Sequence, residues 1–282
     1  MKVFYRDEMV AESLSYSPSA AKPAKAVRSW LERGFPIEIV RPEPVTVEQL
    51  CRAHSAEYVR GVLSGELENG FGNRSMAVAR SLPFTSGAMC AAAREAIVSP
   101  LRIACAPVSG FHHAGHDYGG GFCTFNGLMV AALDLLESGV ASKVGILDCD
   151  QHFGDGTEDI LAALGERRVK HFTAGARRWD AEEFLDELPF LVERIFGGCD
   201  VLLYQAGADP HVDDPLGGWM TTEQLARRDR IVFEVALRIG VPVAWNLAGG
   251  YQRDDSGSIA PVLRIHDNTM MAALQAAACR GA

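Results

Sequence analysis

The sequence predicts one α/β domain over residues 1–282, built on a mainly parallel central sheet with helices on both faces. Three observations carry that class. Short apolar runs alternate with longer amphipathic stretches along the whole chain. No repeat, low-complexity tract or long Pro/Gly/Ser linker divides it. Hydrophobic residues make up 48% of the 282 positions, enough to bury a full core.

In chain order, Val3–Tyr5 is the first apolar run and reads as a strand, followed by the amphipathic stretch Ala24–Glu32 and a second strand at Ile37–Val40. Thr46-Val-Glu-Gln49 has the spacing of a capping box and opens a short helix. Ser86–Ile97 is the next helical stretch, and Arg102–Ala106 the third strand. Leu128–Glu137 then precedes strand Val144–Cys149. Val169–Thr173, helix Glu182–Ile195 and Val201–Gln205 continue the alternation, which closes with helix Glu223–Ile239 and strand Val243–Leu247. Strands this short and this apolar are those of a parallel sheet covered on both sides.

Composition narrows the function. There are 27 basic and 36 acidic side chains, a formal charge of −9, with no basic run, so nucleic acid is not an expected partner. No apolar stretch approaches the ~18 residues of a membrane span. The start, Met1-Lys2-Val3-Phe4-Tyr5-Arg6-Asp7, meets charge too early for a secretory signal. Seven scattered cysteines without a C-x-x-C pair suit a reducing compartment, and a cytoplasmic location is expected. Oligomeric state leaves no trace in the sequence.

In open parallel sheets ligands bind at the carboxyl ends of strands, and four predicted strands end in chemically rich segments. These are Gly110-Phe-His112-His113-Ala-Gly-His116, Asp148-Cys-Asp150-Gln-His152-Phe-Gly-Asp155, Asp209-Pro-His211-Val-Asp213-Asp214-Pro215, and Gly249-Gly250-Tyr251. Five of the eight histidines therefore fall at one rim.

Asp150-x-His152 puts two donors on one side of an extended chain end, and Asp214 can supply a third from another strand. Three ligands plus an open position describe a catalytic metal site; two carboxylates and an imidazole suit Zn²⁺ first, with Fe²⁺, Co²⁺ and Mn²⁺ compatible. An isolated D-x-H more often caps a helix; its company at this rim is what favours the metal. The adjacent His112 and His113 offer a base matched to neutral pH, and Asp148 and Asp155 are the carboxylates available to orient them. Tyr251 offers a neutral phenol to an oxyanion. Cys123 and Cys149 read as small packing residues.

These pieces, with Gly120-Gly-Phe-Cys-Thr-Phe-Asn126, Gly154-Asp-Gly-Thr157 and Asp214-Pro-Leu-Gly217, recur in order from about Ala53 to Tyr251. Together they resemble the zinc-dependent histone deacetylase and acetylpolyamine amidohydrolase family, which has the arginase-type α/β fold. The resemblance implies a deacetylase acting on acetyl-lysine or a related N-acyl amine, a bacterial-type enzyme that stands alone. Asp150, His152 and Asp214 would bind one zinc ion. His113 would be general base and then acid, oriented by Asp155, with His112 beside it paired to Asp148. Tyr251 would polarise the acyl carbonyl. The Gly121 carbonyl would accept the substrate N–H, and Phe122 would wall the acyl-chain tunnel. A structural potassium ion would use Asp148, the carbonyls of Asp150 and His152, and Thr173.

Three departures are visible. Phe153 replaces a second histidine after the metal ligand. No aspartate stands near Asn69–Arg74 to grip a peptide backbone. After Thr173 the chain runs through Ala174–Trp179 almost directly into a helix, so either Trp179 replaces the second tunnel wall or the channel is open on one side. Leu216, just past Asp214, occupies the place of a glutamate gatekeeper in polyamine-selective relatives; acetylated polyamines are therefore expected to be poorer substrates. Two competing readings are a ureohydrolase, disfavoured because Gly154 stands where a second metal needs a carboxylate, and an acyl-ligand or metal sensor without turnover.

Overall fold

The computed structural model describes residues 1–279. Its strands are β1 (Lys2–Phe4), β2 (Glu38–Val40), β3 (Ile103–Ala106), β4 (Val144–Asp148), β5 (Val169–Thr173), β6 (Val201–Gly207) and β7 (Val243–Ala248). They form one sheet in the order β2-β1-β3-β7-β6-β4-β5, and every pairing is parallel. All seven apolar runs predicted as strands are strands.

The helices among the described residues are α1 (Lys22–Glu32), α2 (Val47–Leu50), α3 (Ala56–Ser64), α4 (Met76–Val98), α5 (Gly127–Glu137), α6 (Asp155–Leu164), α7 (Ala181–Phe196), α8 (Thr222–Arg238) and α9 (Ala260–Cys279). The Thr46 capping box is present: its hydroxyl accepts the Gln49 N–H at 3.2 Å and the Gln49 side chain accepts the Thr46 N–H at 2.9 Å. Helix α4 begins ten residues before the predicted start and carries Pro83 in its interior, where proline ordinarily marks a break. Helices α3, α6 and α9 were not predicted.

Side-chain alternation divides the core in two. Leu202 and Tyr204 of β6 join Trp245, Trp30, Phe184 and Phe233 on the face covered by α1 and α7–α9. Val201 and Leu203 face the opposite way, onto Leu50, Val59, Met89 and Leu128 from α2–α5.

The neighbours β3, β7, β6 and β4 occupy the middle of the sheet, and they are the four strands whose ends carry the chemical motifs. Their tips are held at close quarters. A Cβ on Gly207 would lie 2.5 Å from the Cys149 carbonyl oxygen and 2.6 Å from the Asp150 Cα. Fully buried Arg228 bridges the same tips, donating to the carbonyls of Cys149 at 3.2 Å and Gly207 at 2.8 Å. Its Nε donates to Asp229, which also receives the hydroxyls of Tyr204 and Thr269, each at 2.5 Å. Because the obstacle is backbone, Gly207→Ala must push β4 and β6 apart and is expected to destabilise the fold by ~1–3 kcal/mol. Urea denaturation checks this; an unchanged midpoint would mean the strand ends separate freely.

Candidate active site

The loop from β3 to α5 brings His112 and His113 to the rim with their rings 4.0 Å apart. Each meets a different carboxylate. His112 Nδ1 lies 2.7 Å from Asp148 Oδ2, the last residue of β4, and His113 Nδ1 lies 2.6 Å from Asp155 Oδ1, the first residue of α6. These are the two pairings that the family resemblance implies. Asp148 is fixed in turn by the Asp150 N–H at 3.1 Å and the Gln205 amide at 2.9 Å.

The two imidazoles are driven in opposite directions. Burial pulls His112 down, but Asp148 and Asp150 more than reverse this and lift it to about 9. Burial and the neighbouring His112 charge hold His113 below the ordinary histidine value, despite Asp155. A pair separated this way can divide labour, with positive charge on His112 and a free lone pair on His113.

Beside them, Asp150, His152 and Asp209 offer donor atoms that all lie within 4.8 Å of one another. His152 Nδ1 sits 3.1 Å from Asp150 Oδ1 and 3.0 Å from Asp209 Oδ2. Hydrogen bonds to both carboxylates push the imidazole up to about 10, so the cluster favours a positive charge at this point. Burial and the Asp150 charge meanwhile push the fully buried Asp209 carboxyl up to about 7. Two crowded carboxylates and an imidazole nitrogen form a donor set that fits a divalent cation.

Asp214 reaches the same rim, accepting the N–H of Tyr251 at 2.8 Å and of Leu216 at 3.0 Å. Asp209 was legible only as part of a motif; spacing alone does not separate it from Asp214, five residues later.

A family model described as the histone deacetylase domain matches residues 17–172 and 180–264, most of the chain. The chain belongs to the histone deacetylase family. It is 31% identical over 249 residues to an uncharacterized protein of Picosynechococcus, covering 77% of this chain and 81% of that one. To acetylpolyamine amidohydrolase 1 of Pseudomonas aeruginosa it is 28% identical over 177 residues, 50% of this chain and 48% of the relative, so the match spans about half of that protein's length. The fold is that of the HDA15 HD domain, with a TM-score of 0.74 at 20% identity over 99% of this chain and 94% of that one.

Within this deacetylase-family site, Gly121 adopts a left-handed φ of +53°, and a Cβ there would lie 2.4 Å from His113 Cδ2. Glycine is needed for the loop to approach the imidazole so closely. Phe122 and Tyr251 face each other with ring centroids 5.6 Å apart. Burial raises the Tyr251 phenol far above the ordinary tyrosine value, keeping it a protonated donor.

The surprise is Tyr16. From the loop between β1 and α1 it stands edge-on to Phe122 at 5.2 Å and 6.3 Å from Tyr251, with its carbonyl accepting from Arg253 at 2.9 Å. No motif marks it. Trp179 packs on Phe184 at 5.0 Å under the Arg177 guanidinium, with its Nε1 donating to the Ala174 carbonyl, and borders a surface groove with Gln151 and Gly175. Leu216 and Phe153 are exposed. Lys22 is fully buried, donating to the Gly249 carbonyl and to Ser109; burial lowers its ammonium to about 8 against the pull of Asp209, Asp150 and Asp214.

At the expected potassium site, Asp148 is engaged by protein donors and the Thr173 hydroxyl accepts the Gly154 N–H at 3.2 Å. No observation adds to that expectation.

Proposed function

We propose that this chain is a metal-dependent amidohydrolase that removes the acyl group of acetyl-lysine or a related N-acyl amine. The observation that supports it best is the pairing of His112 with Asp148 and His113 with Asp155 next to a cation-favouring cluster. Asp150, His152 and Asp214 would hold one ion, zinc by family resemblance, with Asp209 packed against His152. A bound divalent ion would supply Lewis acidity, activating water and polarising the amide carbonyl.

The chain's own groups do the rest. His113 takes the proton of the attacking water as the new C–O bond forms, and Asp155 keeps its Nδ1 side turned away from the reaction. The phenol of Tyr251 and the charge of His112 steady the amide oxygen as it gains negative charge. His113 then passes the proton to the nitrogen as the C–N bond breaks, leaving a carboxylic acid and an amine. The Gly121 carbonyl would accept the substrate N–H, while Phe122 and Tyr16 flank the chain that enters.

Metal analysis with an acyl-amide panel tests this. One equivalent of metal is expected, with hydrolysis of capped acetyl-lysine abolished by chelation and restored by zinc. Two tightly held equivalents would point to ureohydrolase chemistry, and metal without any acyl release to a sensor. Acetylspermidine is expected to be the poorer substrate because Leu216 offers its cationic chain no partner.

Tyr251→Phe is expected to lower turnover by ~10²–10³ while binding of a zinc-chelating hydroxamate persists. Normal turnover would remove the tyrosine from the mechanism. No helix among the described residues is long and apolar enough to cross a membrane. The seven cysteines are free thiols, which suits the reducing, cytoplasmic setting of this reading.

A further inference from the structure

Arg228 is a fully buried cation that takes no part in the proposed reaction. Its Nε donates to Asp229 Oδ1 at 2.8 Å. Asp229, equally buried, also takes the hydroxyls of Tyr204 and Thr269, so both of its oxygens are occupied and the guanidinium is held from behind. Withdrawing two charges from water often costs more than packing an apolar pair of the same size, so such a pair is weak support for stability. What it does supply is a fixed geometry.

That geometry is imposed on two peptide groups. Nη1 of Arg228 donates to the Cys149 carbonyl at 3.2 Å and to the Gly207 carbonyl at 2.8 Å. Each of these peptides has its N–H engaged at the site. The Asp150 N–H, on the far side of the Cys149 peptide, donates to Asp148 Oδ1 at 3.1 Å, and Asp148 Oδ2 lies 2.7 Å from His112 Nδ1. The Ala208 N–H, on the far side of the Gly207 peptide, donates at 2.9 Å to the carbonyl of Ala248, which leads into Gly249-Gly250-Tyr251. One nitrogen grips both peptides because residue 207 is glycine; a Cβ there would lie 2.5 Å from the Cys149 oxygen. A peptide whose oxygen accepts from a cation is polarised, and its N–H becomes the stronger donor.

We propose that Arg228 is a positioning residue for the active site: through the Cys149 and Gly207 peptides it sets Asp148 beneath His112, the backbone of Asp150 in the metal cluster, and the strand end that leads to Tyr251. The proposal rests on the amidohydrolase reading above. Arginine suits the task because it stays charged when buried and its planar fork faces Asp229 and the two carbonyls at once. Lysine would bring the charge on a single nitrogen, without the plane.

Two variants test this. Arg228→Met combined with Asp229→Asn removes both charges together and leaves the Tyr204 and Thr269 hydroxyls a partner. Arg228→Lys keeps the charge without the fork. Urea denaturation, zinc retention against a competing chelator, and kcat and KM for capped acetyl-lysine are measured on each. The double variant is expected to keep its urea midpoint and its KM, while zinc affinity and kcat each fall about 10–100-fold, the usual cost of losing an outer partner of a metal site. Arg228→Lys is expected to show a smaller fall of the same kind, and it carries the test alone should the double variant fail to fold. Chelator competition needs no substrate, so a wild-type protein that binds zinc but hydrolyses no acyl amide overturns the amidohydrolase reading, and zinc affinity still decides the role of Arg228. Wild-type zinc affinity and kcat in every variant that folds, or losses that only follow a lowered urea midpoint, would overturn the positioning role and leave Arg228 a clamp between strand ends.

Discussion

His113→Ala is expected to lower kcat for acyl-amide hydrolysis by ~10²–10⁴ while the protein keeps its metal and still binds a hydroxamate. The size follows from what is removed. His113 is the half-buried imidazole whose Nδ1 is fixed 2.6 Å from Asp155, and burial with the His112 charge keeps it below the ordinary histidine value. It is therefore neutral at neutral pH and able to accept a proton. His112 cannot take over, because Asp148 and Asp150 hold it up to about 9 and it is already protonated. Asp155→Asn should cost less than loss of the imidazole, since the ring remains but its tautomer is no longer fixed. Steady-state kinetics with capped acetyl-lysine, metal analysis and hydroxamate titration on the same samples decide the matter. A variant with normal kcat would sink the base assignment, and one that lost its metal would show the histidine to be structural.

The division between legible and hidden features has physical causes. Strands β3, β4, β6 and β7 are fully buried, so each is a short unbroken apolar run that the sequence displays directly. The motifs at their ends were equally visible because chemistry needs particular residue types there. Helix α9 was not, because its apolar residues are spread among small ones, and alanines such as Ala272, Ala273 and Ala276 give a weak period. Pro83 concealed the first part of α4 by suggesting a break that the buried neighbours Val78, Ala79 and Leu82 override.

Tyr16 and Lys22 lay hidden for a different reason. Both act through contacts more than a hundred residues away in sequence, Tyr16 on Phe122 and Tyr251, Lys22 on Gly249, and neither belongs to a local pattern. A lysine just before an amphipathic helix reads as solvated. Only the fold makes it a buried cation behind the acidic cluster.

Asp150→Ala is expected to abolish activity and metal retention together, because Asp150 meets both halves of the site. Its Oδ1 lies 3.1 Å from His152 Nδ1 and 3.6 Å from His112 Nε2. Removing it leaves His152 with Asp209 alone and frees His112 of one of the charges that keep it protonated. The more informative pair is Asp214→Asn against Asp209→Asn. Family resemblance gives the third ligand position to Asp214, whereas the cluster nearest to closing around a cation contains Asp209. Asparagine keeps the size and hydrogen bonding of each position and removes only the charge. If Asp214 is the ligand, its asparagine variant should release metal to a competing chelator well before the Asp209 variant does. Asp209→Asn should then mainly disturb the orientation of His152, a change typically costing ~10–100-fold in metal affinity. Chelator competition on both purified variants reads the order directly. Retention of metal by Asp214→Asn with loss from Asp209→Asn would move the third ligand to Asp209, and Asp214 would become the residue that seats the backbone of Tyr251.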